Sequence, residues 1–189
     1  MRKIILLFHI SLDGFVAGPN GEMDWIKLDD EMFDLVNTFT EKADTALYGR
    51  KTYQMMDSYW TTAADKPNAT KHDIEHSHWY NKVNKVVLSK TMHSNGSNKT
   101  IFISDNILNE ILNFKNQQGK DILVFGSPTA AHFLMENNLI DDYWLFINPI
   151  ILGQGIPLFT PIKNKINLKL LTTKVFLCDV TGLNYTVDR

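Results

Sequence analysis

Gly49, Arg50, Lys51 and Thr52 are consecutive and follow the apolar run Ala46-Leu-Tyr48. The run reads as the end of a buried strand, Gly49 as a tight turn, and Arg50 to Thr52 as the mouth of a helix. Free helix N–H groups, a guanidinium, an ammonium and a hydroxyl in one place suit an anion, most obviously a phosphate. A solvated basic turn is the plainer reading of these four residues taken alone. Two other strand ends carry similar groups. Residues 85–89 are a short apolar run ending in Ser89 and Lys90, and residues 121–125 run into Gly126, Ser127, Pro128 and Thr129. Ser127 is placed as the N-cap of the helix that follows, with Pro128 at its first position. Ligands of α/β sheets bind beyond the carboxyl ends of the strands, so three such ends on one sheet edge favour a nucleotide site. None of the three is a Gly-x-Gly-x-x-Gly or Walker-type loop.

Other residues offer competing chemistry. His72-Asp-Ile-Glu75-His76 matches an H-x-x-E-H pattern that can bind zinc when the two histidines share a helix face. The segment is polar and has no clear third ligand, so a solvated helix is preferred and no metal is expected. His9 interrupts the apolar run of residues 3–10 and reads as a core or edge histidine. Asp29, Asp30 and Glu31 suit a helix start by their charge alone; one of them could instead face a pocket beside the glycine-rich segment before it.

The elements that must position these groups follow from the pattern. The run 3–10 is a strand buried on both faces. Residues 11–24, with Gly14, Gly18 and Gly21, are too glycine-rich for regular structure and too apolar for a linker, so they read as a loop folded over something. Met32, Phe33, Leu35, Val36 and Phe39 give the next helix an apolar face. An irregular excursion is expected over 59–71, a helix over 72–83, a polar turn over 94–100, a strand over 101–104 and a helix over 106–117. A long strand follows over 142–151 and a loop over 153–159. The last two strands, 168–176 and 181–188, form an edge hairpin. The class is α/β, with parallel strands and crossover helices and an antiparallel C-terminal end.

The chain has 189 residues, 44% of them hydrophobic, and a net charge of -2. One globular domain over 1–189 is expected. No basic field suggests nucleic acid, and the apolar run near the N-terminus is too short for a membrane span. The single cysteine, Cys178, fits a reducing compartment, and a cytoplasmic protein is expected.

Taken in order, several segments resemble the dihydrofolate reductase-like superfamily. The branch is that of the C-terminal reductase domain of bacterial bifunctional riboflavin-biosynthesis deaminase-reductases. The segments are Ser11-Leu-Asp-Gly-Phe-Val-Ala-Gly18, Asn20-Gly-Glu-Met-Asp-Trp25, Gly49-Arg-Lys-Thr52, Val87-Leu-Ser89, Phe125-Gly-Ser127 and Pro149-Ile-Ile-Leu-Gly-Gln-Gly155. The resemblance covers nearly the whole chain. It implies a three-layer α/β/α fold with a mostly parallel central sheet, and NADPH as cofactor. Gly49 would form the turn, with Arg50, Lys51 and Thr52 at the 2′-phosphate side and adjoining phosphate. Ser89 and Lys90 would flank the adenosine. Gly126, Ser127, Thr129 and Ala130 would approach the pyrophosphate, and Ile10 and Ala17 would border the nicotinamide. A dianionic 2′-phosphate favours NADPH over NADH at such cations. The family usually carries a second glycine after Gly126, where this chain has Ser127-Pro128.

On the substrate side, the resemblance places Asp30 at the acid that contacts the heterocycle or relays a proton. It implies a small-molecule substrate, 5-amino-6-(5-phosphoribosylamino)uracil in this branch. Reduction of dihydrofolate or another pterin is the alternative, and a nucleotide-binding protein without turnover is a third reading. Relatives in this branch are commonly dimers. A homodimer is therefore expected, with the C-terminal hairpin and the segment 150–159 as the apolar candidates for its interface.

Overall fold

The computed structural model describes residues 1–94 and 96–189. Among these residues, ten strands and five α-helices follow one another along the chain. The strands β1 (Ile4–Ser11), β3 (Ala43–Gly49), β4 (Asn84–Leu88), β5 (Thr100–Ile103), β6 (Asp121–Phe125), β7 (Asp142–Asn148), β9 (Leu168–Val175) and β10 (Thr181–Val187) form one sheet. Its order is β5-β4-β3-β6-β1-β7-β10-β9. The pairs from β5 to β7 are parallel, and those of β10 with β7 and β9 are antiparallel. The α/β class and its antiparallel end are thus as the sequence implies.

Helices cover both faces, which is why the central strands are apolar throughout. Helices α1 (Asp30–Thr40), α2 (Arg50–Trp60) and α3 (Lys71–Lys82) share one face. There Met32, Tyr53 and Tyr80 pack with Ile5, Leu7, Tyr48 and Leu123. Helices α4 (Ile107–Asn116) and α5 (Pro128–Glu136) cover the other, where Ile111, Ala131 and Leu134 pack on Ile4, Leu6 and Val124. The excursion after α2 contains a single 3-10 turn over Ala63–Asp65. The polar turn expected over 94–100 includes Asn95, which lies outside the described residues.

Two segments read as loops carry short strands. β2 (Phe15–Ala17) and β8 (Ile156–Pro157) pair antiparallel and form a second, small sheet. Neither is long enough to show a period in sequence. The long strand stops at Asn148 rather than continuing to 151, because Pro149 cannot donate to a ladder.

The amino ends of the strands are closed by charge pairs. Arg2 pairs with Asp44 and donates to Thr45 Oγ1 at 2.6 Å. Buried Lys115 pairs with Asp141, which also accepts from the Ile4 N–H at 2.8 Å and from Arg189 at 2.8 Å. Lys3 pairs with Asp142 at 2.8 Å. Among the described residues no helix is long and apolar enough to cross a membrane.

Candidate active site

At the carboxyl ends of the same strands the topology sets a switch point between β3 and β6, the place where such sheets open a crevice. β6 lies between β1 and β3 in the sheet although it comes far later in the chain. The helix after β3 lies on one face and the helix after β6 on the other, so the strand ends part between them. Such a switch point is where doubly wound sheets hold ligands.

The two turns flanking the crevice interlock. Gly126 has φ +56° and Ser127 has φ +62°. Gly126 is in the left-handed region that favours glycine, and a Cβ there would meet Thr52 Cγ2 at 3.4 Å, an ordinary contact distance. Ser127 adopts a left-handed conformation that favours glycine. Its side chain does not cap α5, contrary to the sequence expectation. Its Oγ instead accepts the N–H of Gly49 at 2.8 Å, across the crevice. This bond offsets the strain of about 1 kcal/mol that a left-handed non-glycine residue carries. Pro128 opens α5 as expected.

Helix α2 begins directly after this contact. Gly49 offers no side-chain cap, and the first turn holds no acidic residue. Arg50 and Lys51 are exposed there, with no ion-pair partner among the described residues. This contrasts with the paired Arg2, Lys3 and Lys115 at the opposite end of the sheet. The N-terminus of α5 likewise has no acid in its first turn. Thr129 is exposed there, whereas Ala130 is buried and lies beneath Gly49. On the outer side Ser89 is buried and uses its Oγ to accept the N–H groups of Thr91 and Met92 at 3.2 and 2.9 Å. Lys90 beside it is exposed.

The glycine-rich segment after β1 forms the other wall. Asp13 Oδ1 accepts the Ser11 hydroxyl at 2.6 Å, and the Asp13 carboxylate accepts the N–H groups of Leu152 and Gly153 at 3.1 and 2.8 Å. The Ser11 hydroxyl and these N–H groups hold the Asp13 carboxyl below the usual range. A Cβ on Gly155 would lie 2.3 Å from the Ala17 carbonyl oxygen, so only glycine permits this approach of β8 to β2. Asp13 and Gly155 together fix where Ala17 lies. Ala17 and Ile10 are both buried.

Asp29 caps α1, accepting the Met32 N–H at 2.8 Å, and its second oxygen accepts the Cys178 N–H at 3.1 Å. Its carboxylate is therefore committed to structure. Asp30 is exposed at the first position of α1 and makes no hydrogen bond among the described residues. His72 and His76 share a face of α3, but the His72 ring stacks on Phe33 at 3.7 Å and His76 lies against Trp60 and Trp79. Among the described residues no group of three His, Cys, Asp or Glu side chains could hold a metal ion. Burial pushes His76 down to about 3.

Sequence reasoning missed the roles of Asp13, of the Ser127 crosslink and of Asn148. A lone amide in the apolar run 142–148 was the available signal for the last. Asn148 is fully buried at the end of β7 and accepts the Lys27 N–H at 2.8 Å, tying the entry to α1 to the sheet.

This architecture, with its crevice at the β3/β6 switch, is that of dihydrofolate reductase-like proteins. Dihydrofolate reductase from Enterococcus faecalis, complexed with NADP(H) and RAB-propyl, superposes with a TM-score of 0.64 at 13% identity. The match covers 99% of this chain and 97% of that one. Within that fold the chain belongs to the RibD C-terminal domain family, whose model matches residues 2–181. The uncharacterised protein YyaP of Bacillus subtilis (strain 168) is 37% identical over 97% of this chain and 94% of its own. A putative riboflavin biosynthesis protein from Shewanella sp. PV-4 matches over the full length of both chains, with a TM-score of 0.75 and 22% identity. The diaminohydroxyphosphoribosylaminopyrimidine deaminase/5-amino-6-(5-phosphoribosylamino)uracil reductase of Thermotoga maritima matches with a TM-score of 0.70 at 14% identity. There the similarity covers 99% of this chain and 57% of that one.

Proposed function

We propose that the protein is an NADPH-dependent reductase of a small heterocyclic substrate, of the 5-amino-6-(5-phosphoribosylamino)uracil reductase type. The observation that carries this reading is the pair of interlocked turns at the β3/β6 crevice, with Arg50 and Lys51 unpaired, among the described residues, at the uncapped start of α2. The donor set fits a dinucleotide phosphate. Arg50, Lys51 and Thr52 hold the 2′-phosphate side, and Ser89 with Lys90 flanks the adenosine. Gly126, Ser127, Thr129 and Ala130 line the pyrophosphate path, and Ile10 and Ala17 border the nicotinamide. When bound, the cofactor supplies a hydride, here to the ribosyl carbonyl or its C=N equivalent. The chain's own residues orient the two reactants, and Asp30, exposed at the start of α1, contacts or protonates the substrate in this reading.

The protein works in the cytoplasm as a homodimer in this reading. Among the described residues β9 pairs only with β10, so its outer edge carries unpaired N–H and C=O groups, and Leu170, Leu171 and Val175 are exposed on it. That edge supports self-association. Reduction of dihydrofolate or another pterin is the second reading, favoured by the NADP(H)-bound fold neighbour.

Melting curves with NADPH and NADH on wild type and Arg50→Ala test the cofactor assignment by mass action. NADPH should raise the Tm of wild type more than NADH does, and Arg50→Ala should lose the difference. Equal shifts, or none, refute the assignment. NADPH oxidation with the phosphoribosylaminouracil and with dihydrofolate then separates the two substrates, and Asp30→Asn should slow the turnover.

A further inference from the structure

His9 lies near the carboxyl end of β1, opposite Phe146 of β7. Its ring stacks on Phe146 at 4.9 Å. Ile5, Leu7 and His9 alternate along the strand and so share the face covered by α1. Ile10 points to the other face, where it packs with Val16 and Leu158. The residues that border the nicotinamide in the proposed reading therefore lie across the sheet from His9. The start of α1, with Asp30, lies on the His9 side.

The protonation of His9 is fixed by its neighbours. Asn148 Oδ1 accepts the backbone N–H of Lys27 at 2.8 Å. A backbone N–H can only donate, so this bond orients the amide. Its Nδ2 then faces the Phe146 carbonyl at 3.1 Å, the Ile10 carbonyl at 3.5 Å and His9 Nδ1 at 3.4 Å. The two carbonyls can only accept, which agrees with that orientation. His9 Nδ1 faces an amino group and must also accept, so the imidazole proton resides on Nε2. Nε2 has no hydrogen-bond partner among the described residues and is not among the fully enclosed atoms that lack one. Burial keeps the ring neutral, lowering its pKa to about 4.

We propose that His9 is a substrate-binding residue whose Nε2–H, held in that tautomer by Asn148, donates to a ring carbonyl oxygen of the heterocyclic substrate. A neutral N–H donor suits an uncharged lactam oxygen, whereas a phosphate is better matched by the cations at α2. The inference rests on the reductase reading and names a substrate contact within it. Asn148 acts through His9 and is a positioning residue.

The test uses the full chain with 15N-labelled histidine and saturating NADP+, which permits no reduction. Two-bond 1H–15N spectra at pH 7 should show His9 neutral with its proton on Nε2. Titration with 5-amino-6-(5-phosphoribosylamino)uracil should move the Nε2 resonance. A proton on Nδ1, a protonated ring, or an Nε2 resonance unmoved at saturating uracil overturns the proposal. In binding assays His9→Leu should weaken the uracil about three- to tenfold, the effect of one neutral hydrogen bond, and leave NADPH affinity unchanged. His9→Gln, which keeps an N–H donor, should recover most of the loss. Equal losses for uracil and NADPH overturn the substrate assignment. Wild-type NADPH oxidation in the same preparation separates the two failures. Turnover with an unmoved His9 removes only this inference, and absence of NADPH and uracil binding removes the reductase reading and this inference together.

Discussion

Replacing Ser127 by alanine separates two contributions of one hydroxyl. Its Oγ accepts the Gly49 N–H at 2.8 Å, and Ser127 is 4% exposed. The alanine leaves a strand-end N–H without its partner, at a cost of about 1–3 kcal/mol. Alanine also keeps the left-handed backbone at φ +62° without the bond that offsets its strain. For a chain of this size each kcal/mol lowers Tm by about 2–4 °C, so the ligand-free variant should melt about 4–8 °C lower for a loss of about 2 kcal/mol. Urea unfolding should show a lower midpoint with an unchanged slope, since the surface exposed on unfolding is the same. The hydroxyl proton is not used by the Gly49 contact and can reach a phosphate oxygen, so NADPH affinity should fall as well, about tenfold for a charge-assisted bond. The assay is urea unfolding without ligand, paired with calorimetric NADPH titration. Unchanged ligand-free stability would refute the crosslink, even if cofactor affinity fell.

Four further outcomes follow from the geometry. Gly126→Ala places a methyl 3.4 Å from Thr52 Cγ2 at φ +56°, and should cost about 1–2 kcal/mol in urea unfolding while weakening NADPH. Asp141→Asn strips the carboxylate from buried Lys115 and should cost about 3 kcal/mol; a loss below about 1 kcal/mol would show that the pair is not structural. His9 is held down to about 4 and His76 to about 3, both chiefly by burial. The unfolded chain thus binds protons below about pH 6.5 that the folded chain refuses, so stability falls as pH drops from about 6.5 toward 4. His9 alone contributes about 3 kcal/mol to that fall, and denaturation of His9→Gln against pH should be flatter. Gly155→Ala drives a Cβ against the Ala17 carbonyl and should raise protease sensitivity of the β2 and β8 segments before that of the central sheet.

The central strands were legible because burial on both faces leaves an uninterrupted apolar run, as in 121–125, and no helix competes at that length. The turns at Gly49 and Gly126 are legible because each glycine directly follows such a run and precedes a helix. Ser127 stands at the N-cap position as its place before Pro128 implies, but nothing local says that its hydroxyl is engaged 78 residues away instead of capping the helix. β2 and β8 were hidden because each is held by its opposite and by Asp13, a tertiary contact without sequence period. His9 reads as a core or edge histidine in sequence, and its contact with Asn148, an amide on another strand that also holds the Lys27 N–H, has no local signal. Asp29 and Asp30 are neighbours with similar sequence credentials, and only the Met32 and Cys178 N–H groups show that Asp29 is the structural one.

The place of β6 between β1 and β3 also constrains how the chain is made. Ile4 pairs with Ile122 and Ala46 with Leu123, so neither early strand has its inner neighbour until residue 125 has been synthesised. A nascent chain short of that length carries β3, β4 and β5 as one piece and β1 as a lone strand, because β7, its other neighbour, is made later still. Contacts of such sequence separation slow folding and give transient species time to associate. When β6 enters, it joins β1 to β3 and brings Ser127 to Gly49 in the same event. The Gly49–Ser127 contact therefore forms late, and in the proposed reading a nucleotide that binds there distinguishes chains extended past residue 127 from shorter nascent ones.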